Sequence, residues 1–272
     1  ALNRGTFNSF DPRLVLSYRP SDTVLVYASA AKGFRSGGFN DGLPPLPPQC
    51  SAIQPTYDPE KLWTYELGSS ASFSEGRFVV QGAYYYNDWT DIQTLTICPG
   101  YPIVATANVG KAEGKGLDLA LTIAPARGVR LSLSGNKNSS HYKGASLGHD
   151  DGDQIDFAPD YNYGIALDWN FRWAAKLPGS FHTDYQKTAR WPINYGMYGP
   201  IYGVPPSVWS DPIGLLNARI SMTLGAVDLS LFGQNLTNEN ARSYPDSPVI
   251  GGQPSAGRPQ PRTIGIGFTY KY

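Results

Sequence analysis

Long apolar runs are absent from this chain. No stretch of its 272 residues approaches the ~18 to 20 apolar positions that a membrane-spanning helix needs, and the mean hydropathy is −0.31. A helical membrane protein is thereby excluded, whereas a membrane barrel, whose strands carry only alternating hydrophobicity, is not. An excess of either charge is also lacking. The 22 basic residues balance 22 acidic ones, which excludes a nucleic-acid binder held by a basic field. Methionine and cysteine number two each. Cys50 and Cys98 lie in Pro-rich, loop-like surroundings that suit an oxidising compartment. The 30 glycines and 23 prolines fall below the share of a disordered chain. The chain opens Ala1-Leu-Asn-Arg4, with neither a basic leader nor an apolar signal segment. The expectation is a signal already removed or a piece of a longer protein.

What the chain does have is tyrosine, 18 residues against 11 Phe and 6 Trp. Amphipathic rings suit membrane interfaces better than a conventional core. The last ten residues, Thr263 to Tyr272, place Ile264, Ile266, Phe268, Tyr270 and Tyr272 on one parity and Thr263, Gly265, Gly267, Thr269 and Lys271 on the other. Side chains alternate faces along a strand, so this is a strand with one greasy and one polar face, ending in three aromatics. The alternation recurs. Trp63, Tyr65, Leu67 and Phe73 oppose Thr64, Glu66 and Gly68, and Tyr161 to Phe171 is the most regular strand, with six large apolar residues on one parity. Strands are expected over Tyr57–Phe73, Arg77–Gln93 and Val104–Ile123 among others, about eleven in all.

Connections alternate short (near 19–22, 74–77, 124–128, 174–179 and 224–226) and long (near 36–56, 94–103, 137–158, 189–212 and 236–260). That asymmetry is the periplasm-against-exterior pattern of a bacterial barrel, and it puts all five long loops outside. Glu66, Asp118, Arg130, Asp168, Asp184, Arg219, Asp228 and Lys271 share the inward parity, which requires a wide lumen. The fold class is therefore all-β, an antiparallel transmembrane β-barrel. An odd strand count leaves edges that lipid cannot satisfy, so barrel strands are expected to be missing from the N-terminal side.

Several segments resemble the C-terminal half of TonB-dependent outer-membrane receptors. They are Val26–Phe39 with its Gly-Phe-Arg-Ser-Gly-Gly-Phe, Tyr57-Asp-Pro-Glu-Lys-Leu-Trp-Thr-Tyr-Glu-Leu-Gly68, Asn108-Val-Gly…Gly116-Leu-Asp118, Gly233-Gln-Asn-Leu-Thr-Asn238 and Gly257-Arg-Pro-Gln-Pro-Arg-Thr-Ile-Gly265. Asp118 stands where the family more often has Glu, and the last segment carries an extra Gln-Pro. The resemblance runs from about residue 10 to Tyr272. It implies a 22-stranded barrel in the bacterial outer membrane, of which residues 1–272 supply the C-terminal part. A plug domain that contacts the TonB complex and the first barrel strands would lie upstream. It also implies active uptake of a scarce ligand, most often a ferric siderophore, with no cofactor and no catalysis.

Candidate sites lie in the long loops. Trp191, Tyr195, Tyr198, Tyr202 and Trp209 place five large rings within 19 residues, and Trp89 sits on the inward parity of its strand. Such rings could stack on a flat ligand, or they could pack on one another or form the interfacial girdle. Cys50 and Cys98 fall in consecutive long loops on one rim and are expected to form a disulfide, unpaired thiols being the alternative. His149, Asp150, Asp151, Asp153 and Asp156 form an acidic loop without EF-hand spacing, read as solvated, with a bound hard cation as the alternative. Gly144-Ala-Ser-Leu-Gly148 fits the nucleophile elbow of hydrolases, but its flanks are not a strand and a helix, so Ser146 is a loop coincidence. The rival functions are a general porin and a barrel-embedded hydrolase using Ser146 with His141 or His149.

Overall fold

In the computed structural model the alternating segments pair into one antiparallel sheet of eleven strands, taken strictly in chain order. The structure describes all residues except 1–4, 52, 99–100, 102, 109, 145–148, 174–175, 195–206, 248–254 and 272. The wall strands are β1 (Arg13–Ser21), β2 (Val24–Arg35), β5 (Glu60–Phe73), β6 (Phe78–Thr90), β9 (Lys111–Ala126), β10 (Val129–Lys143), β11 (Tyr161–Trp173), β12 (Leu177–Thr188), β15 (Ile213–Leu224), β16 (Val227–Gln234) and β19 (Thr263–Tyr270). Four two-stranded hairpins rise from the long connections. They are β3 (Gly38–Phe39) with β4 (Thr56–Tyr57), β7 (Gln93–Ile97) with β8 (Val104–Asn108), β13 (Pro192–Asn194) with β14 (Ser207–Trp209), and β17 (Tyr244–Ser247) with β18 (Ser255–Gly257).

Register carries the sequence parity across the whole wall. Ala71, Val80, Leu121, Leu133, Ile165, Tyr185 and Leu216 form one unbroken transverse row on seven strands. This face is bare: Leu67 is 59% exposed, Ile165 43% and Ile266 80%. In water that would be untenable, so the face belongs in lipid. A single-layer wall has no interior of its own. The buried apolar side chains, among them Ile53, Ile92, Ala105, Ala107, Ala112, Tyr142 and Ile193, lie instead in the long loops and the strand ends beside them.

The opposite face is polar and internally paired. The Tyr27 hydroxyl donates to Glu66 (2.5 Å) and Asn136 donates to Asp118 (2.6 Å). His182 lies between Asp168 (2.8 Å) and Asp184 (3.4 Å), and Lys271 pairs with Asp228 (2.6 Å). Two rings on this face lie flat over glycines of the next strand, Tyr27 over Gly68 and Tyr85 over Gly116. A Cβ at either glycine would overlap the ring, so glycine here is what admits the aromatic.

The strands at the long-loop end depart from their expected bounds. Val104–Ile123 is not one strand, because Gly110 at φ 104° separates the β8 arm from β9. Arg77–Gln93 likewise ends at Thr90, where Asp91 turns at φ 57°. Tyr57–Phe73 divides into β4 and β5. Positive φ marks two of these breaks, at Asp91 and Gly110, and the third falls at Asp58-Pro59 between β4 and β5. In the other direction, β10 runs to Lys143, well into the expected 137–158 loop.

Candidate functional site

The five long connections gather at one end of the wall and interlock there. A lattice at the base of the first two is built by residues of the quoted motifs. Glu60 of the Pro-Glu pair accepts from the Arg35 guanidinium (2.5 Å) and from the Gln93 backbone N–H (2.7 Å). Gln93 donates from its side chain to the carbonyls of Ser36 (3.0 Å) and Asp58 (2.9 Å). Asn108 donates to the carbonyls of Asp58 (3.0 Å) and Asp91 (2.7 Å) and accepts from the Asp58 N–H (2.7 Å). One side chain thus clamps the feet of two hairpins.

Above that lattice the two loops share a small apolar body. Cys50 and Cys98 are disulfide-bonded, their Cα atoms 5.0 Å apart, inside the spacing a disulfide requires. Ile53 and Ala105 are buried against them, with Leu43, Leu46 and Ile103 packed around. Asn40 ties the loops again, accepting from the Thr106 N–H and donating to the carbonyls of Gln54 and Thr106.

Residues 149–158 of the third loop fold back on β10. The His149 ring stacks on Tyr142 with centroids 3.9 Å apart, and Tyr142 packs with Ile92, Ala112, Trp89 and Ile155. Burial pushes the His149 imidazole below its ordinary pKa, the charge of Asp153 partly opposing. Two of the acidic residues bond to backbone of the loop and the adjoining strand end. Asp151 accepts from the Gly144 N–H and Asp153 from the Asp150 N–H, both at 2.8 Å. No cluster of three or more metal-ligating side chains occurs among the described residues. Ser146 lies outside the described residues. His141 has both ring nitrogens engaged, with the Ser139 hydroxyl (3.1 Å) and the Gly152 carbonyl (3.0 Å).

The last two loops are joined by Asp211 and Arg242. The Arg242 guanidinium donates to both carboxylate oxygens (3.1 and 3.3 Å) and its backbone N–H to one of them (2.9 Å). Those bonds hold the Asp211 carboxyl below its usual range. Of the candidate ligand residues, Trp191 and Trp209 stand at the foot of the fourth loop's hairpin. The Trp191 backbone N–H donates to the Ser210 hydroxyl (3.0 Å), and the Arg190 guanidinium lies 4.7 Å over the Trp209 ring, which is 39% exposed. The indole N–H groups of Trp89 and Trp191 are buried and have no protein acceptor. Trp89 packs inside the cluster around Tyr142, while Tyr195, Tyr198 and Tyr202 lie outside the described residues. The described members of the aromatic set are therefore divided between two loop bases. The signal for the Asn108 and Glu60 lattice lay in the motifs themselves, but its partners are 17 to 58 residues away in the chain.

Residues 2–237 match the model of the TonB dependent receptor-like β-barrel. The chain belongs to the TonB-dependent receptor family. This receptor is 26% identical over 169 residues to the pesticin receptor of Yersinia enterocolitica, an alignment spanning 61% of this chain and 24% of that one. Its fold matches the ferric yersiniabactin uptake receptor of Yersinia pestis with a TM-score of 0.73 at 20% identity, over 94% of this chain and 36% of that one. It matches the pyoverdine outer membrane receptor of Pseudomonas aeruginosa with a TM-score of 0.68 at 15% identity, over 96% and 36%. The sheet is thus a partial outer-membrane barrel, and the chain spans about a quarter to a third of the length of these relatives.

Proposed function

We propose that the receptor takes up a ferric siderophore or a similar iron complex, with this chain supplying barrel wall and extracellular ligand loops. In this reading the remaining wall strands and a plug that contacts the TonB complex lie outside these 272 residues. The observation that carries it is the family membership of residues 2–237 combined with a rim whose loops are mutually braced. Bracing favours a ligand site because ordering the loops beforehand lowers the cost of binding. Trp191, Trp209 and Trp89, together with Tyr195, Tyr198 and Tyr202, are the proposed ligand contacts. The matched relatives named for ferric yersiniabactin and pyoverdine support a chelated-iron ligand. The test is uptake by cells carrying the full-length protein, offered labelled ferric chelates, cobalamin and glycans. Energy-dependent accumulation of one ferric chelate is expected. Equal, energy-independent passage of small solutes would select a general porin instead.

A further inference from the structure

The lumenal face is not uniform across the wall. On β2, β6 and β16 large rings lie over glycines of the next strand, Tyr27 on Gly68, Tyr85 on Gly116 and Phe232 on Gly265. Gly164, on β11, carries no ring. Its partners across the strands are Ser134 and Gln186, and Ser132, Ala166 and Asp184 form the next inward row. These short and polar side chains leave a recess of about 490 Å³ on β10 to β12. One inward row nearer the short turns, register aligns Arg130, Asp168, His182 and Arg219 on four strands. Beside Arg130 opens a second recess of about 710 Å³, lined by the small residues Ala124, Ala126 and Gly128 and by Arg77 and Arg127. At the other end the inward parity of β12 leads through Thr188 to Arg190, which stacks over Trp209.

Charge along this strip is one-sided. Its two carboxylates are engaged within the wall: Asp168 lies 2.8 Å from His182, and Asp184 accepts from the Asn217 amide (3.0 Å) and lies 3.4 Å from the same histidine. Arg77, Arg127, Arg130 and Arg219 join no ion pair among the described residues. Arg219 donates to the hydroxyls of Ser221 (3.3 Å) and Ser230 (3.0 Å), which leave its charge uncompensated. Fixed charges of one sign in a cleft with low-dielectric walls focus their field and concentrate the opposite charge there. A guanidinium in addition offers a planar fork that matches the paired oxygens of a carboxylate.

Resting on the uptake reading above, we propose that the lumenal face of β10 to β12 is the lane along which the receptor passes its ligand, and that this ligand is an anionic iron chelate. The lane starts beneath the Arg190–Trp209 pair, crosses the recess of hydroxyl and amide groups at Gly164, and ends among the guanidiniums at the short turns. Short neutral groups midway give a large ligand room without holding it, while the cationic row beyond draws negative charge toward the periplasmic side. Neither a neutral nor a cationic chelate would gain from that row. The competing occupant is an upstream segment of the protein packed permanently on the same face, which would close the lane.

The test uses cells carrying the full-length receptor with one added cysteine, Ser132→Cys or Ser134→Cys in the lane, or Gln81→Cys in the recess beside Tyr27 and Asp118. The probes are an anionic and a cationic methanethiosulfonate of similar size, each rate being divided by that of the same reagent with a free thiol. In energised cells the two lane cysteines should react about tenfold faster with the anionic probe, and an uncoupler should suppress the reaction. Arg130→Gln/Arg219→Gln should abolish the preference, Arg130→Lys/Arg219→Lys should keep it, and Gln81→Cys should show none. Equal rates with both probes, the same preference at Gln81→Cys, or a reaction indifferent to the uncoupler would overturn the lane. So would silence of both lane cysteines in energised cells, the result expected of a permanently packed face. Uptake of ferric chelates by the same cells keeps the two readings apart: uptake without a charge preference defeats the lane alone, and a charge preference without uptake of any ferric chelate defeats the chelate reading.

Discussion

A few side chains hold this rim together, and they are polar. Asn108 makes three hydrogen bonds to backbone groups of two other segments. Asn108→Ala should lower the stability of the loop base by about 2 to 3 kcal/mol, since it strands the partners as well as removing the bonds. Limited proteolysis of the folded receptor should show new cleavage between residues 91 and 110 while the wall stays resistant. His149 gives a pH signature. Its imidazole binds a proton less readily in the fold than in the unfolded chain, so the unfolded state takes up more protons below about pH 6.5. Stability from this group is thus present at neutral pH and declines as pH falls through the unfolded value toward the lower folded one. Protection factors in the 140–157 segment, referred to the intrinsic exchange rate at each pH, should fall on acidification from pH 7.5 to 5.5, and His149→Phe, which keeps the stack on Tyr142, should flatten that response.

At the scale of elements, the wall was legible and the rim was not. Period-two alternation assigned the faces of the wall strands because lipid on one side and lumen on the other impose it along the membrane-spanning part of each strand. The breaks at Asp91 and Gly110 are changes of backbone handedness that side-chain parity does not register, so β7 and β8 were invisible as a separate hairpin. The Cys50 and Cys98 loops could be placed side by side from strand order alone, whereas the apolar body around them depends on Leu43, Leu46 and Ile103 folding inward. That bond closes a segment with a sequence separation of 48, a restriction of the unfolded chain of roughly 4 kcal/mol in the entropy model. Cys50→Ser/Cys98→Ser should therefore speed proteolysis of residues 36–59 and 91–110 together. Attack on one loop alone would show that they are not a unit. The partly exposed Asp211–Arg242 bridge is worth less, about 1 kcal/mol or below, and Arg242→Ala should shift local exchange without affecting assembly.

For the whole molecule, orientation is the first thing to measure. Single cysteines placed near residues 45, 150 or 248, in a background without Cys50 and Cys98, should react with an impermeant reagent on intact cells. Cysteines near 75 or 126 should react only after the outer membrane is opened. The reverse pattern would invert the receptor. A second consequence follows from the strand order. Because each wall strand is hydrogen-bonded only to its predecessor and successor in the chain, the smallest piece that can be removed without disturbing the rest is a pair of adjacent strands with the turn between them. Excising β11 and β12 would bring β10 beside β15 still antiparallel, leaving every later loop on its original side of the membrane and the barrel narrower by two. Excising β11 alone would send all downstream loops to the wrong compartment. Insertions and losses tolerated in such a wall should thus come in even numbers of strands, so pore width changes in steps of two strands while sidedness is inherited intact.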